Sequence, residues 1–160
     1  ALQEQSDILQ LLTLDGPPAP QHYLARFKAK GLVKNRRGRV EEANGCAIAI
    51  WLPDDYLRHA DPAQILTYVG PHRHPFHPNI SPPCICVHIR PGTPLVDLLY
   101  ICYELWTWRL FATGDEGLNH AASQWARAQD PSRFPVDRRP LKRRRLAIQM
   151  SPARAAEVQA

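Results

Sequence analysis

Seven prolines between residues 71 and 94 do most to limit what this chain can fold into. Pro71, Pro75, Pro78, Pro82, Pro83, Pro91 and Pro94 each fix φ and remove an amide donor, so no regular helix or interior strand can cross the stretch. Ile85, Val87 and Ile89 leave room there for a short extended piece at most. The stretch divides the chain into two halves with different hydrophobic periods.

Upstream, the pattern is mostly that of strands. Ser6 to Leu14 is the exception and predicts a short helix, with Ser6 as cap and Ile8, Leu9, Leu11 and Leu12 on its apolar side. "DGPPAP" at 15–20 stops it. Residues 22–33, "HYLARFKAKGLV", then alternate, with Tyr23, Ala25, Phe27 and Ala29 on one face and Arg26, Lys28 and Lys30 on the other, as a half-buried strand requires. "NRRGR" predicts a hairpin tip, with Arg39 to Glu42 returning. "CAIAIWL" is apolar on both faces and predicts a central strand, which Pro53 ends before a turn at "PDDY". "ILTYV" at 65–69 predicts one more strand.

Downstream, the period becomes helical. Thr93 is placed to cap a helix with Pro94 in its first position, and Leu95, Leu98, Leu99, Cys102, Leu105 and Trp106 line one side. A second helix is expected over "GLNHAASQWARAQ", with Leu118, Ala121, Ala122 and Trp125 as its stripe and Asp130-Pro131 as its end. Strands followed by helices predict an α+β fold: an antiparallel meander sheet with an N-terminal helix and C-terminal helices beside it. A chain of 160 residues suits one domain, read as 1–137, and residues 138–160 form a basic C-terminal tail.

No apolar run nears the ~20 residues that span a bilayer. The start, "ALQEQSDILQLL", lacks the basic opening of a signal peptide, so a cytoplasmic protein with no membrane partner is expected. Cys46, Cys84, Cys86 and Cys102 are then free thiols, ligands or nucleophiles rather than disulfides. The formal charge of +5 comes largely from Arg138, Arg139, Lys142, Arg143, Arg144 and Arg145. That run suits a solvated tail or an acidic partner. Nucleic acid is disfavoured, because no aromatic residues interleave with the arginines.

The chemistry gathers in "PHRHPFHPNISPPCICVHIRPG", residues 71–92. His72, His74, His77, His88, Cys84 and Cys86 are all zinc-binding types. Their spacing fits zinc poorly, because no CxxC pair exists, and no metal is expected. As a nucleophile, a thiol with an ordinary pKa of about 8.5 is weak in hydrolysis without a paired base. A thioester carrier needs less, since its acyl group arrives activated. Positioning and an oxyanion donor suffice, and no cofactor is required. Asn79, seven residues before Cys86, offers a side-chain amide for that task.

The segment "FHPNISPPCICV" resembles the active-site segment of ubiquitin-conjugating enzymes, in which His-Pro-Asn precedes the catalytic cysteine within an Ile-Cys-Leu-like tripeptide. "IWLPDDY" at 50–56, "GTPLVDLLYICYELW" at 92–106 and "DEGLNHAASQW" at 115–125 resemble further segments of that family in the same order, so the likeness covers about residues 46–128. The resemblance implies the ubiquitin-conjugating-enzyme-like fold. Cys86 would carry the C-terminus of a ubiquitin-like modifier protein as a thioester, received from an activating enzyme and passed to a target amine. Asn79 would stabilise the oxyanion or hold the loop, His77 would shape the loop, and Glu116, with Asp115 as its rival, would orient or deprotonate the amine. Departures from the family are Pro82, Pro83 and Cys84 where a glycine is usual, Pro91-Gly92 in place of a tryptophan, and a first helix without a basic face. They resemble the bacterial branch of the family associated with antiphage ubiquitin-like conjugation operons. Two other readings of the same residues are an inactive adaptor of the same fold that binds ubiquitin-like proteins, and a small zinc-binding protein.

Overall fold

The computed structural model describes residues 2–114 and 117–143. It is α+β, with one six-stranded antiparallel sheet in the order β1-β2-β3-β4-β6-β5. The strands are β1 (Leu9–Thr13), β2 (His22–Lys34), β3 (Val40–Trp51), β4 (Leu66–Gly70), β5 (Ile80–Ser81) and β6 (Cys84–Ile85). The helices are α1 (Pro62–Ile65), α2 (Leu95–Trp106) and α3 (His120–Arg127). Among the described residues no helix is long and apolar enough to cross a membrane.

The expected N-terminal helix is a strand instead. β1 pairs antiparallel with β2, Leu9 opposite Phe27 and Leu11 opposite Ala25. Leu9 is buried and Leu11 packs against the core, so the apolar residues satisfy a period of two as well as a helical one. A nine-residue helix is marginal alone, and ladder bonds with an available edge strand prevail. Ser6 still caps locally, its Oγ accepting from the amides of Ile8 (3.2 Å) and Leu9 (3.1 Å).

β2 and β3 form the long central hairpin, with its tip held by the Asn35 side chain, which accepts from the amides of Arg37 and Arg39. The inward face of β2 is the expected one: Ala25, Phe27 and Ala29 are buried. β3 lies between β2 and β4, as a central strand should, but only one of its faces is fully covered. Cys46, Ile48 and Ile50 are buried, while Trp51 at its end is exposed and stacks on His22.

The β2–β3 register shifts between Phe27 and Lys30. This bulge releases backbone groups to side chains from elsewhere. The Ala29 carbonyl accepts from Trp106 Nε1 at 2.8 Å, and the Lys30 amide donates to Asp137 Oδ2 at 2.9 Å. Beside the bulge, Gly31 lies flat against the Trp106 ring, where an added Cβ would sit 2.4 Å from a ring carbon.

α2 covers the sheet with Leu98, Leu99, Cys102, Tyr103, Leu105 and Trp106 buried. Thr93 does not cap it. Its hydroxyl donates to the Arg90 carbonyl at 2.7 Å, and the Pro94 carbonyl receives the first helical amides. Asn119, not Leu118, organises α3: its side chain accepts from the Ala122 amide at 3.1 Å. The buried face is Ala122, Ser123 and Ala126, so Leu118 and Ala121 of the expected stripe face solvent. Leu118 precedes the helix, and the stripe is counted from Asn119 onward.

A second core gathers at the far end of α2. Leu32, Phe76, Trp108, Ala122 and Ala126 are buried together, with Phe111, Trp125 and Phe134 packed on them. Trp108 has φ of 62°, a left-handed conformation that costs a bulky residue on the order of 1 kcal/mol or more. Its ring stacks on Phe134 at 5.0 Å and meets Trp125 edge-on at 5.7 Å.

The start of the basic run is packed against this body. Asp137 is buried and its carboxylate receives the Arg139 guanidinium and two amides, while Leu141 enters the main core. Burial alone would raise the Asp137 pKa, but the bonds from Arg139 and the Lys30 amide prevail and hold it at about 2. Arg143 bonds to the Gln5 and Glu4 carbonyls and pairs with Asp7. Arg144 and Arg145 lie outside the described residues.

Candidate active site

The proline-dense stretch folds as a loop, a minimal hairpin and a second loop. Ile80 pairs with Ile85 and Ser81 with Cys84, with Pro82 and Pro83 at the tip; Cys84 also pairs with Thr67 of β4. Ile80 and Ile85 point into the core, which fixes the hairpin to the body. Period two then turns Cys84 and Cys86 outward on either side of buried Ile85. Both thiols are exposed. Cys46 and Cys102 are buried as expected, and burial raises both their pKa values, that of Cys102 to about 12. The four cysteines thus separate into two inert core residues and two accessible ones.

Asn79 links these pieces. Its backbone carbonyl accepts from the Cys86 amide at 2.8 Å, and its side-chain Nδ2 donates to the Cys86 carbonyl at 2.8 Å. Asn79 therefore grips Cys86 on both sides of its Cα. Its Oδ1 accepts from the Ala112 amide at 2.8 Å, joining the cysteine to the segment after α2. An amide nitrogen carries two donors. One is given to Cys86, and the other, which has no partner among the described residues, can meet an oxygen that develops charge nearby.

His77 lies under this loop. It is 1% exposed, and its Nδ1 accepts from the Asn79 amide at 3.0 Å. The ring meets Trp108 edge-on at 4.8 Å. Burial drives its pKa down to about 3, against which the Leu110 backbone acts only in part. The imidazole is thus neutral at ordinary pH, with its proton on Nε2. That atom has only a weak interaction with the Leu110 backbone, and Trp108 Nε1 has no hydrogen-bond partner among the described residues. A neutral, enclosed ring suits a structural part rather than a proton carrier.

The other side of the loop rests on α3. The Pro78 carbonyl accepts from the Asn119 amide at 2.9 Å. Gly117 approaches the same carbonyl so closely that a Cβ there would be 2.9 Å away. Asp115 and Glu116, the expected acids, lie outside the described residues.

The structure therefore brings His77, Asn79 and Cys86 into one bonded unit. It keeps the other histidines apart: His72 stacks on Trp106, while His74, His88 and His120 are exposed. Among the described residues no three His, Cys, Asp or Glu side chains are grouped to hold a metal ion. The parts missed from sequence are Ala112, which contributes only an amide, and Trp108, whose left-handed backbone has no sequence signal. No family model, curated protein or solved structure matches this chain.

Proposed function

We propose that this protein is a conjugating enzyme of the ubiquitin-conjugating type, with Cys86 as its acyl carrier. The observation that supports this best is the double grip of Asn79 on Cys86, which holds an exposed thiol beside a fixed side-chain amide. The order of parts agrees with that reading: an antiparallel meander, a His-Pro-Asn loop, the cysteine, then α2 and α3. The missing N-terminal helix departs from it.

In the proposed cycle the Cys86 thiolate attacks the thioester carbonyl by which an activating enzyme holds a ubiquitin-like modifier. A new C–S bond forms to Cys86, and the old one breaks as the activating enzyme's cysteine leaves as thiolate. A target amine then attacks the Cys86 thioester. The carbonyl oxygen becomes an oxyanion, which the second N–H of Asn79 stabilises. Collapse forms the amide, expels the Cys86 thiolate, and passes the amine proton to solvent or to a carboxylate such as Glu116. Removing one such donor commonly costs about 10²-fold or more in rate. A cytoplasmic role in bacterial antiphage conjugation completes the proposal.

The test uses modifier, activating enzyme and ATP. Cys86→Ser should trap a slower-forming oxyester that withstands thiol, and Asn79→Ala should charge but discharge to lysine about 10²-fold more slowly. Binding of modifier with no covalent product in any variant would instead identify an adaptor.

A further inference from the structure

An apolar groove runs along the second core, with a volume of about 520 Å³. Trp108, Phe111, Ala126, Pro131, Phe134 and Pro135 line it. That size falls in the range of pockets that bury a small molecule or one large side chain with its neighbours. Its floor is rigid, because Trp108, Phe111 and Phe134 pack ring on ring at 5.0 to 5.2 Å. The groove also adjoins the candidate site: Thr113 lines it, and the neighbouring Ala112 amide is the one that Asn79 holds.

The charge around it is mostly basic; among the described residues the exception is Asp130, between the lining residues Gln129 and Pro131, whose carboxylate accepts from the Ser132 amide. Arg109 bonds to the carbonyls of Asp137 and Arg139, Arg133 to the Gln129 side-chain oxygen while lying over Trp125, and Arg138 to the Ser132 carbonyl. Among the described residues these three guanidiniums are met by neutral oxygens, and no carboxylate there takes their charge. The nearest buried carboxylate, Asp137, is already taken by Arg139.

This pattern selects among occupants. The chain's own residues 144–160 carry Arg144, Arg145 and Arg154 against Glu157, so they are net basic like the rim. A second copy of this chain brings a net charge of +5. We infer that the groove docks an acidic segment of a partner protein, one large apolar side chain seated between Phe111 and Phe134, which cover the buried Trp108, with flanking carboxylates on Arg109, Arg133 and Arg138. Apolar anchoring supplies the affinity, and the charges supply selectivity and on-rate. The inference stands apart from the thioester reading.

The test is selection of a random twelve-residue peptide library, displayed on phage, against the full chain. The best peptide is then titrated while tryptophan indole signals are followed by NMR. Enriched sequences should hold one aromatic or long aliphatic residue flanked by Asp or Glu. The Trp108 and Trp125 signals should move and that of Trp51 should not. Arg133 is exposed, so Arg133→Glu should leave the fold intact and weaken binding about fivefold or more. Absence of enrichment, enrichment of neutral or basic peptides, or binding unaffected by Arg133→Glu would each overturn the inference. So would movement of the same signals on concentrating the protein alone, which would identify a second copy as the occupant.

Discussion

Mild acid is expected to destabilise this protein through His77, well before its carboxylates are protonated. The folded pKa is about 3, lowered by burial from an ordinary 6.5. Above about 6.5 neither the folded nor the unfolded chain carries the proton, and the group costs nothing. Below that value the unfolded chain takes up a proton that the folded chain refuses. Stability therefore falls as pH drops through about 6.5 and continues to fall until about 3. Each pKa unit is ~1.4 kcal/mol, so the loss is about 1 kcal/mol at about pH 6 and about 2 kcal/mol at about pH 5. Against a typical total stability of 5–15 kcal/mol, that is a large share. The assay is urea unfolding at about pH 7.5, 6 and 5 for the wild type and His77→Gln, whose amide oxygen keeps an acceptor but does not titrate. The wild type is expected to lose about 2 kcal/mol more than the variant by about pH 5. Equal losses would refute the reasoning. Should the variant fail to fold, NMR of the wild-type ring decides: its signals should show no titration before unfolding, and a midpoint near the ordinary value would contradict the burial argument.

Three further outcomes follow from the packing. Gly31→Ala should cost about 1–3 kcal/mol by overpacking, since the Trp106 ring it would strike is buried and tied to Ala29; an unchanged urea midpoint would show that the ring can shift. Asp137→Ala should free Arg139 and the Lys30 amide, lowering stability by about 1–3 kcal/mol and increasing proteolysis after Val136. The native Asp137 contribution is whole above the ordinary carboxylate range and is lost as pH falls from about 4 towards 2, a window that overlaps the end of the His77 window and extends below it. In the His77→Gln background, limited proteolysis near about pH 2 should therefore release the segment as the substitution does at neutral pH, and at about pH 3 only in part.

The sheet was legible where one face is buried and the other charged, as in residues 23–30. It was also legible at the hairpin tip, where Asn and Gly carry the turn. The first segment was misread because apolar residues at 8, 9, 11 and 12 fit both periods, and only the neighbouring edge of β2 decides between them. The α3 stripe was shifted because Asn119, a capping residue, sets the helix start and so the buried face. Of the site, the His-Pro-Asn and Cys residues were legible as types. Their union rests on backbone groups of Cys86 and Ala112, and every residue has those, so no sequence pattern marks them. The docked start of the basic run was hidden for a similar reason. Asp137 looks like any acid beside arginines, and its partners are a bulge amide on β2 and its own near neighbour.

The central claim is that Cys86, rather than its exposed neighbour Cys84, carries the acyl group. Intact-protein mass spectrometry after incubation with activating enzyme, ubiquitin-like modifier and ATP tests it directly. The account predicts a single modifier adduct that added thiol removes, that Cys84→Ala retains and that Cys86→Ala abolishes. An adduct that survives in Cys86→Ala and disappears in Cys84→Ala, or no adduct on the wild type at all, would contradict it.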